Sequence, residues 1–307
     1  MKLKGWALLL IIGLVAPFIV YPIFAMHILS LGLFASAFGL VLGYAGLLSF
    51  GHAAFYGSAA YVCGLIIKNY SVDPLLGIFG GVVVAVILGF LFGLLAIRRQ
   101  GIYFSMITLA LAQMIYFIIV QAPKTGGEDG LQGIPRGNLL GLVDLNQPLA
   151  MYYFVFAVFI FGMVLIQWII HSPFGLVLKS IRQHEPRAIS LGFKADRFKL
   201  MAFVLSAGIS GLAGTLHALI FQLATLSDVN WRLSGEIILM TLLGGLGTFL
   251  GPLLGSAVVV TLEHQLGDKV GSWVQVIIGA LFVLCVVIFR RGIVGEINYF
   301  RARKVKK

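Results

Sequence analysis

The side chains that could do chemistry in this chain are few, and they sit where covalent chemistry is hard to run. Ser49, His52, Thr108 and Gln113 lie in or beside long apolar runs, as do His217 and Gln222. Hydroxyl, imidazole and amide groups in such places can offer weak, transient hydrogen bonds to a passing polar solute. They can equally tie a neighbouring helix or a backbone carbonyl. They do not assemble into a nucleophile, base and acid. The sequence has no GxSxG, no HExxH and no GxxxxGK[ST] phosphate loop. The glycines at 245, 247 and 251 miss the dinucleotide-binding spacing by one residue, with no βαβ pattern around them. His52 has no second metal ligand at helical spacing. Cys63 and Cys285 lie inside apolar runs, which reads as buried thiols. No catalytic residue, metal or cofactor is therefore expected. Glu236 and Glu263 come nearest to being intramembrane acids, each at an expected helix end, so the proton or ion relay of a coupled pump is not evident.

What must position these residues is a membrane scaffold. The chain has 307 residues, of which 60% are hydrophobic and 11% charged, and its mean hydropathy is +1.03. A soluble domain has roughly 45–50% apolar and about 25% charged residues. A soluble globule and a disordered chain are both excluded. Apolar runs at 6–24, 28–48, 50–67, 75–97, 102–121, 149–170, 200–222 and 270–289 are each near the length of a spanning helix. Lys2 and Lys4 before the first run imitate a signal peptide, but a second run follows at once, so an uncleaved helix is expected. The stretch 236–266 is apolar yet broken by Gly244, Gly245, Gly247, Gly251 and Pro252. It reads as two short or re-entrant helices joined at 247–252, a form tolerated where protein covers the backbone. The expected fold is all-α and polytopic, one transmembrane domain over 1–307 with about ten transmembrane helices.

Charge tests that layout. With the N-terminus inside, segments 1–5, 98–101, 171–199 and 290–307 hold 17 of the 22 Lys and Arg and 3 of the 11 Asp and Glu. The formal net charge of +11 divides into +14 on that face and −3 on the other. The positive-inside rule makes the basic face cytoplasmic, with both termini on it. The excess charge thus reports orientation in a lipid bilayer, not affinity for nucleic acid. Nine crossings would strand the basic tail 290–307 on the wrong side, so 236–266 counts as two; the alternative is that it only dips into the membrane and another run is not a true span. Small residues four apart, such as Gly39/Gly43, Gly77/Gly81 and Gly89/Gly93, predict close helix packing, either internal or against another membrane subunit.

Two hydrophilic segments interrupt the runs. In 171–199, Ser172-Pro173 predicts a helix start, and Glu185-Pro186 starts a second short helix that Gly192 stops. The segment presents Arg182, Arg187, Lys194, Arg197 and Lys199, either as a solvated basic loop near anionic lipid or as a dock for a soluble partner. The Gly-rich segment 122–148 carries Glu128, Asp129 and Asp144 against Lys124 and Arg136. It is either a connector or a docking face on which charge sets register.

Several of these segments together resemble one family. Residues 185–192 (EPRAISLG) and 203–211 (FVLSAGISG) look like the coupling loop of bacterial ABC importer permeases. Residues 47–61 (LLSFGHAAFYGSAAY) resemble the second and third helices of branched-chain amino acid permeases. Residues 99–110 (RQGIYFSMITLA), 125–135 (TGGEDGLQGIP) and 244–252 (GGLGTFLGP) are similar to the LivM-type subunit. The resemblance covers about 30–295 in order; Pro186-Arg187 departs from a more Ala-rich pattern in the coupling loop.

The resemblance implies an ATP-driven importer in a bacterial inner membrane. This chain would be one permease beside a second, homologous one. Two cytoplasmic ABC ATPases would dock on Arg182, Glu185, Ala188 and Gly192, with small residues permitting close approach and the acid pairing with a basic partner. A periplasmic substrate-binding protein would dock near Glu128 and Asp129. Ser49, His52, Thr108 and Gln113 would line the path of branched-chain or related hydrophobic amino acids. Importers of urea or short amides resemble the same pattern. A secondary transporter, from a different class, would need no ATPase.

Overall fold

Proline starts several of the helices. A computed structural model describes residues 3–70, 73–139, 141, 143–270 and scattered positions between 273 and 296. Helix α1 (Leu3–Ile19) is followed by α2 (Pro22–Leu40), α3 (His52–Tyr70), α4 (Pro74–Ala96) and α5 (Ile102–Gln121). Then come α6 (Pro148–His171), α7 (Pro173–Gln183), α8 (Glu185–Ser190) and α9 (Ala195–Phe221), and after them α10 (Leu226–Val229), α11 (Trp231–Gly244) and α12 (Gly251–Val270). Pro22, Pro74, Pro148 and Pro173 all stand in the first turn of a helix, where the missing N–H leaves no partner unsatisfied. Asp73 caps α4 by accepting from the Leu75 amide at 2.9 Å. The first two spans meet at Val20–Tyr21, several residues before the expected 25–27. Hydropathy does not mark that joint; Pro22 does, and His27 consequently lies inside α2.

The molecule is an all-α polytopic membrane protein. Among the described residues five helices are long and apolar enough to cross a bilayer: α2 with its extension to Ala45, α4, α5, α6 and α9. Helices α2 and α9 run mostly buried through the middle and pack against α3, α4, α6 and α12. Helices α4 and α5 are peripheral and expose Phe79, Phe90, Leu95, Met106 and Phe117. The glycine spacing serves internal packing: Gly39 faces Pro252 and Thr241, Gly81 faces Ala59 and Thr215, and Gly89 faces Ala207.

The Gly/Pro-broken pair is present as α11 and α12, separated by 245–250. Helix α11 has 14 residues, so it is about 21 Å long, short of a hydrocarbon core of about 30 Å. It does not need to reach further, because the chain after α9 has already turned into the body. Val229 and Asp228 pack on Gly57, part-way along α3, and Ser234 bonds the Ala53 amide. The 245–250 turn reaches the far end of α2, where the Tyr44 hydroxyl donates to Gly247 O at 3.3 Å. Helix α12 then climbs back along α2, past Gly39 and Gly32 to the ring pair Phe24–His264. The run expected at 270–289 and the basic tail 290–307 fall largely outside the described residues.

Two hydrophilic layers cap the bundle. One is the hairpin α7–α8. The other is 122–147, with short turns at Pro123–Thr125 and Gly127–Asp129 and strands β1 (Leu131–Gln132), β2 (Asn138–Leu139) and β3 (Val143–Asp144). Strand β2 pairs with β3, whereas β1 pairs antiparallel with β4 (Leu223–Ala224) beyond the end of α9.

Candidate functional site

Ser49 and Thr108 converge on a gap in the helical scaffold, and His52 opens the helix that follows it. Helix α2 widens into a π-turn at Val41–Ala45, ends at Gly46 in the left-handed region, and gives way to a non-helical segment up to α3. Backbone groups released inside a membrane protein need internal partners. Here neighbouring hydroxyls supply them. The Phe50 amide donates to Thr108 Oγ1 at 3.2 Å, the Gly51 amide to Ser49 Oγ at 3.1 Å, and the Ala53 amide to Ser234 Oγ at 2.9 Å. Leu48 O accepts from Ser105 Oγ at 2.6 Å. His52 is fully buried; its Nε2 lies 3.0 Å from Ser206 Oγ, and its ring meets Phe38 and Phe203 edge-on. Its Nδ1 is buried without a hydrogen-bond partner. Gln113 stands apart from this group, half-buried on α5.

The coupling-loop residues fall into an inward set and an outward set. Ser172 caps α7, and Glu185-Pro186 opens α8, as the sequence predicts. Glu185 Oε1 lies 2.5 Å from Lys199 Nζ, and its Oε2 accepts from Gln100 Nε2 at 3.1 Å. Lys199 is buried at the start of α9, which begins at Ala195 rather than at the expected 200 because that ion pair lets a charged turn stay helical against the body. Arg182 donates to Gly43 O at the end of α2. Ala188 is 3% exposed and packs with Ile181 and Ala195. So Arg182, Glu185 and Ala188 hold the hairpin to the bundle. The outward surface mixes apolar and basic groups: Ile189 is 55% and Leu191 71% exposed, and Arg187, Ser190 and Lys194 are exposed around them. Gly192 ends the hairpin at φ +91° with open space around it, a conformation that L side chains resist.

On the opposite layer Glu128 and Asp129 are both exposed. A buried polar cluster lies beneath it. Asp228 Oδ1 is 3.3 Å from His217 Nε2, and its Oδ2 accepts from the Thr225 amide and hydroxyl at 2.8 and 2.9 Å. The rings of Tyr56 and His27 lie tilted against His217, with centroids 5.5 and 5.8 Å away, and Ser30 lies 3.5 Å from the Tyr56 hydroxyl. Thr225 and Asp228 form a capping box on α10, a pattern legible in the sequence as Thr-x-x-Asp. Arg136 also has an unannounced role. It donates from Nε to Leu219 O at 3.1 Å and from Nη2 to Ile220 O at 2.7 Å. Partial burial pushes its pKa down, though a guanidinium stays charged. No local signal links Arg136 to α9. Among the described residues no group of three or more His, Cys, Asp or Glu could hold a metal ion.

Comparison with known proteins gives a consistent picture. Residues 22–286 match the family model described as branched-chain amino acid transport system, permease component. Salmonella typhimurium LivM, a high-affinity branched-chain amino acid transport system permease protein, is 26% identical over 85% of this chain, and the Escherichia coli protein of the same name is 25% identical over 85%. The chain spans 65% of the length of each. A Bacillus subtilis ribose import permease protein, RbsC, is 27% identical over 76% of the chain and 73% of its own length. No solved structure matches this chain significantly.

Proposed function

Since the chain belongs to the family of permease components of branched-chain amino acid transport systems, we propose that it is one of two permeases in an ATP-driven importer of Leu, Ile, Val or related hydrophobic amino acids. One observation carries this reading: a helical hairpin, fixed to the bundle by Glu185–Lys199 and Arg182–Gly43, turns the apolar Ile189 and Leu191 outward. An ATPase docking there moves α6 and α9, the helices that the hairpin joins. Alternating access is then rigid-body gating, not local chemistry. The hairpin lies on the basic face, taken as cytoplasmic in a bacterial inner membrane, with both termini on it. The 122–147 layer, with Glu128 and Asp129, receives a periplasmic binding protein, and the exposed apolar faces of α4 and α5 are available to the second permease. ATP hydrolysis belongs to the partner ATPases.

The roles of the hairpin residues divide. Leu191 and its neighbours touch the ATPase; Glu185, Arg182 and Ala188 transmit its motion; Gly192 shapes the exit. The test is reconstitution in proteoliposomes with the second permease, the ATPases and the binding protein of its own transport system. The expected result is uptake of labelled Leu, Ile or Val that requires ATP and the binding protein. Uptake driven by an ion gradient alone overturns the proposal. Leu191→Asp is expected to abolish ATPase co-purification. Glu185→Lys is expected to abolish uptake while ATPase and membrane insertion remain.

A further inference from the structure

Helix α9 is tied to both hydrophilic layers by side-chain bonds. It has 27 residues without proline, so it extends about 40 Å as one rod. At its first turn Lys199 holds Glu185 of the α7–α8 hairpin, and Phe198 stacks on Phe174. At its last turn the 122–147 layer is fastened to it. The carbonyls of Leu219 and Ile220 belong to the final turn, where a helix has no internal donors left and the macrodipole is negative. Arg136 fills both with charge-assisted bonds. Next, Gln222 adopts φ +56°, the one positive φ among described non-glycine residues, and its carbonyl accepts from the Ile134 amide at 3.0 Å. The chain then enters β4, paired with β1 in the register Leu131–Ala224 and Gln132–Leu223. A backbone turn that strained persists only where its surroundings hold it, and Arg136, Ile134 and β1 are those surroundings.

We propose that α9 is a strut linking the two layers and that Arg136 is the positioning residue that locks its outer end, so that a protein docking on 122–147 signals to the hairpin on the opposite face. This rests on the importer reading above. Without the lock, the outer layer moves without turning α9.

The complete importer in proteoliposomes tests it, with ATP hydrolysis measured with and without binding protein. Arg136→Ala is expected to keep basal hydrolysis and to lower binding-protein stimulation about tenfold or more, the scale set by losing charged hydrogen bonds. Arg136→Lys, which retains a donor but not the fork, is expected to recover part of the stimulation. A rescue separates coupling from folding. Gln132→Cys with Leu223→Cys places two thiols on paired strand positions, a separation a disulfide can bridge. Oxidised, this pair is expected to restore stimulation in the Arg136→Ala background, and reduction is expected to remove it again. Normal stimulation in Arg136→Ala overturns the proposal, as does failure of the crosslink to rescue. A wild-type complex that shows no stimulation at all overturns the importer reading instead.

Discussion

Two of the places where the chain leaves its helices inside the bundle, 46–51 and 245–250, are stabilised by opposite means. At 46–51 the released amides and carbonyls are met by hydroxyls lent from α5 and α11: Ser105, Thr108 and Ser234. At 245–250 the turn supplies most of its own bonds, with the Tyr44 hydroxyl added at Gly247 O. The Gly245 amide returns to Thr241 O, the Thr248 hydroxyl donates to Gly245 O at 2.7 Å, and the helices on either side come together through glycine. A Cβ on Gly244 would overlap the Gly251 carbonyl. The first break depends on distant polar residues and the second on local absence of side chains. Polar residues in a membrane protein are therefore not by themselves a sign of a path.

The largest effect is expected where nothing can move. Gly244→Val drives a branched side chain into backbone, and overpacking of this kind costs about 1–3 kcal/mol and sometimes more. Folded protein recovered from detergent by size exclusion should fall to near zero. A monodisperse variant at wild-type yield would mean that the α11–α12 junction is looser than the geometry describes.

That contrast explains what could be read without coordinates. The break at 245–250 announces itself because its cause is local: glycines and Pro252 in an apolar run. Ser172-Pro173 and Glu185-Pro186 mark α7 and α8 for the same reason. The joint at Tyr21–Pro22 hides inside a run that stays apolar on both sides. The partners of the 46–51 segment are harder still, because Thr108 and Ser234 lie far away in sequence. Ser49, His52 and Thr108 stood out as polar residues in apolar runs, but which backbone group each one serves is decided by tertiary packing. Ala188 illustrates the same limit: its small size suggests close approach to a partner, and it also fits the inner side of the hairpin, where it is buried.

An intermediate effect is expected at the hydroxyls. Ser234→Ala strips the acceptor from the Ala53 amide, and Thr108→Val strips it from the Phe50 amide. A buried amide left alone costs about 1–3 kcal/mol. Each variant should inactivate faster on heating, read as the half-life of folded protein, and Thr108→Ser should recover most of the loss. Unchanged half-lives would mean that water reaches these amides. The 46–51 segment would then be a wetted surface, and Ser49, His52 and Thr108 would return as candidates for the path.

The smallest structural effect is expected at Gln113, which makes it the sharpest separation of scaffold from path. It follows Thr108 by five residues, so it points roughly 140° away around the helix. It is half-buried, between the inward Ala112 and the exposed Met114. An amide facing lipid without a partner would be costly, so in the proposed importer this side chain should meet either the second permease or the solute. Replacing it with Leu removes no bond that the bundle itself depends on. Gln113→Leu should therefore leave thermal half-life unchanged or longer while lowering the rate of amino acid uptake several-fold, the scale of one lost hydrogen bond. Ser234→Ala should do the reverse, shortening half-life with uptake per folded molecule preserved. If Gln113→Leu transports at the wild-type rate, α5 contributes its apolar face alone, and the path has to be sought on the other helices that border the second permease.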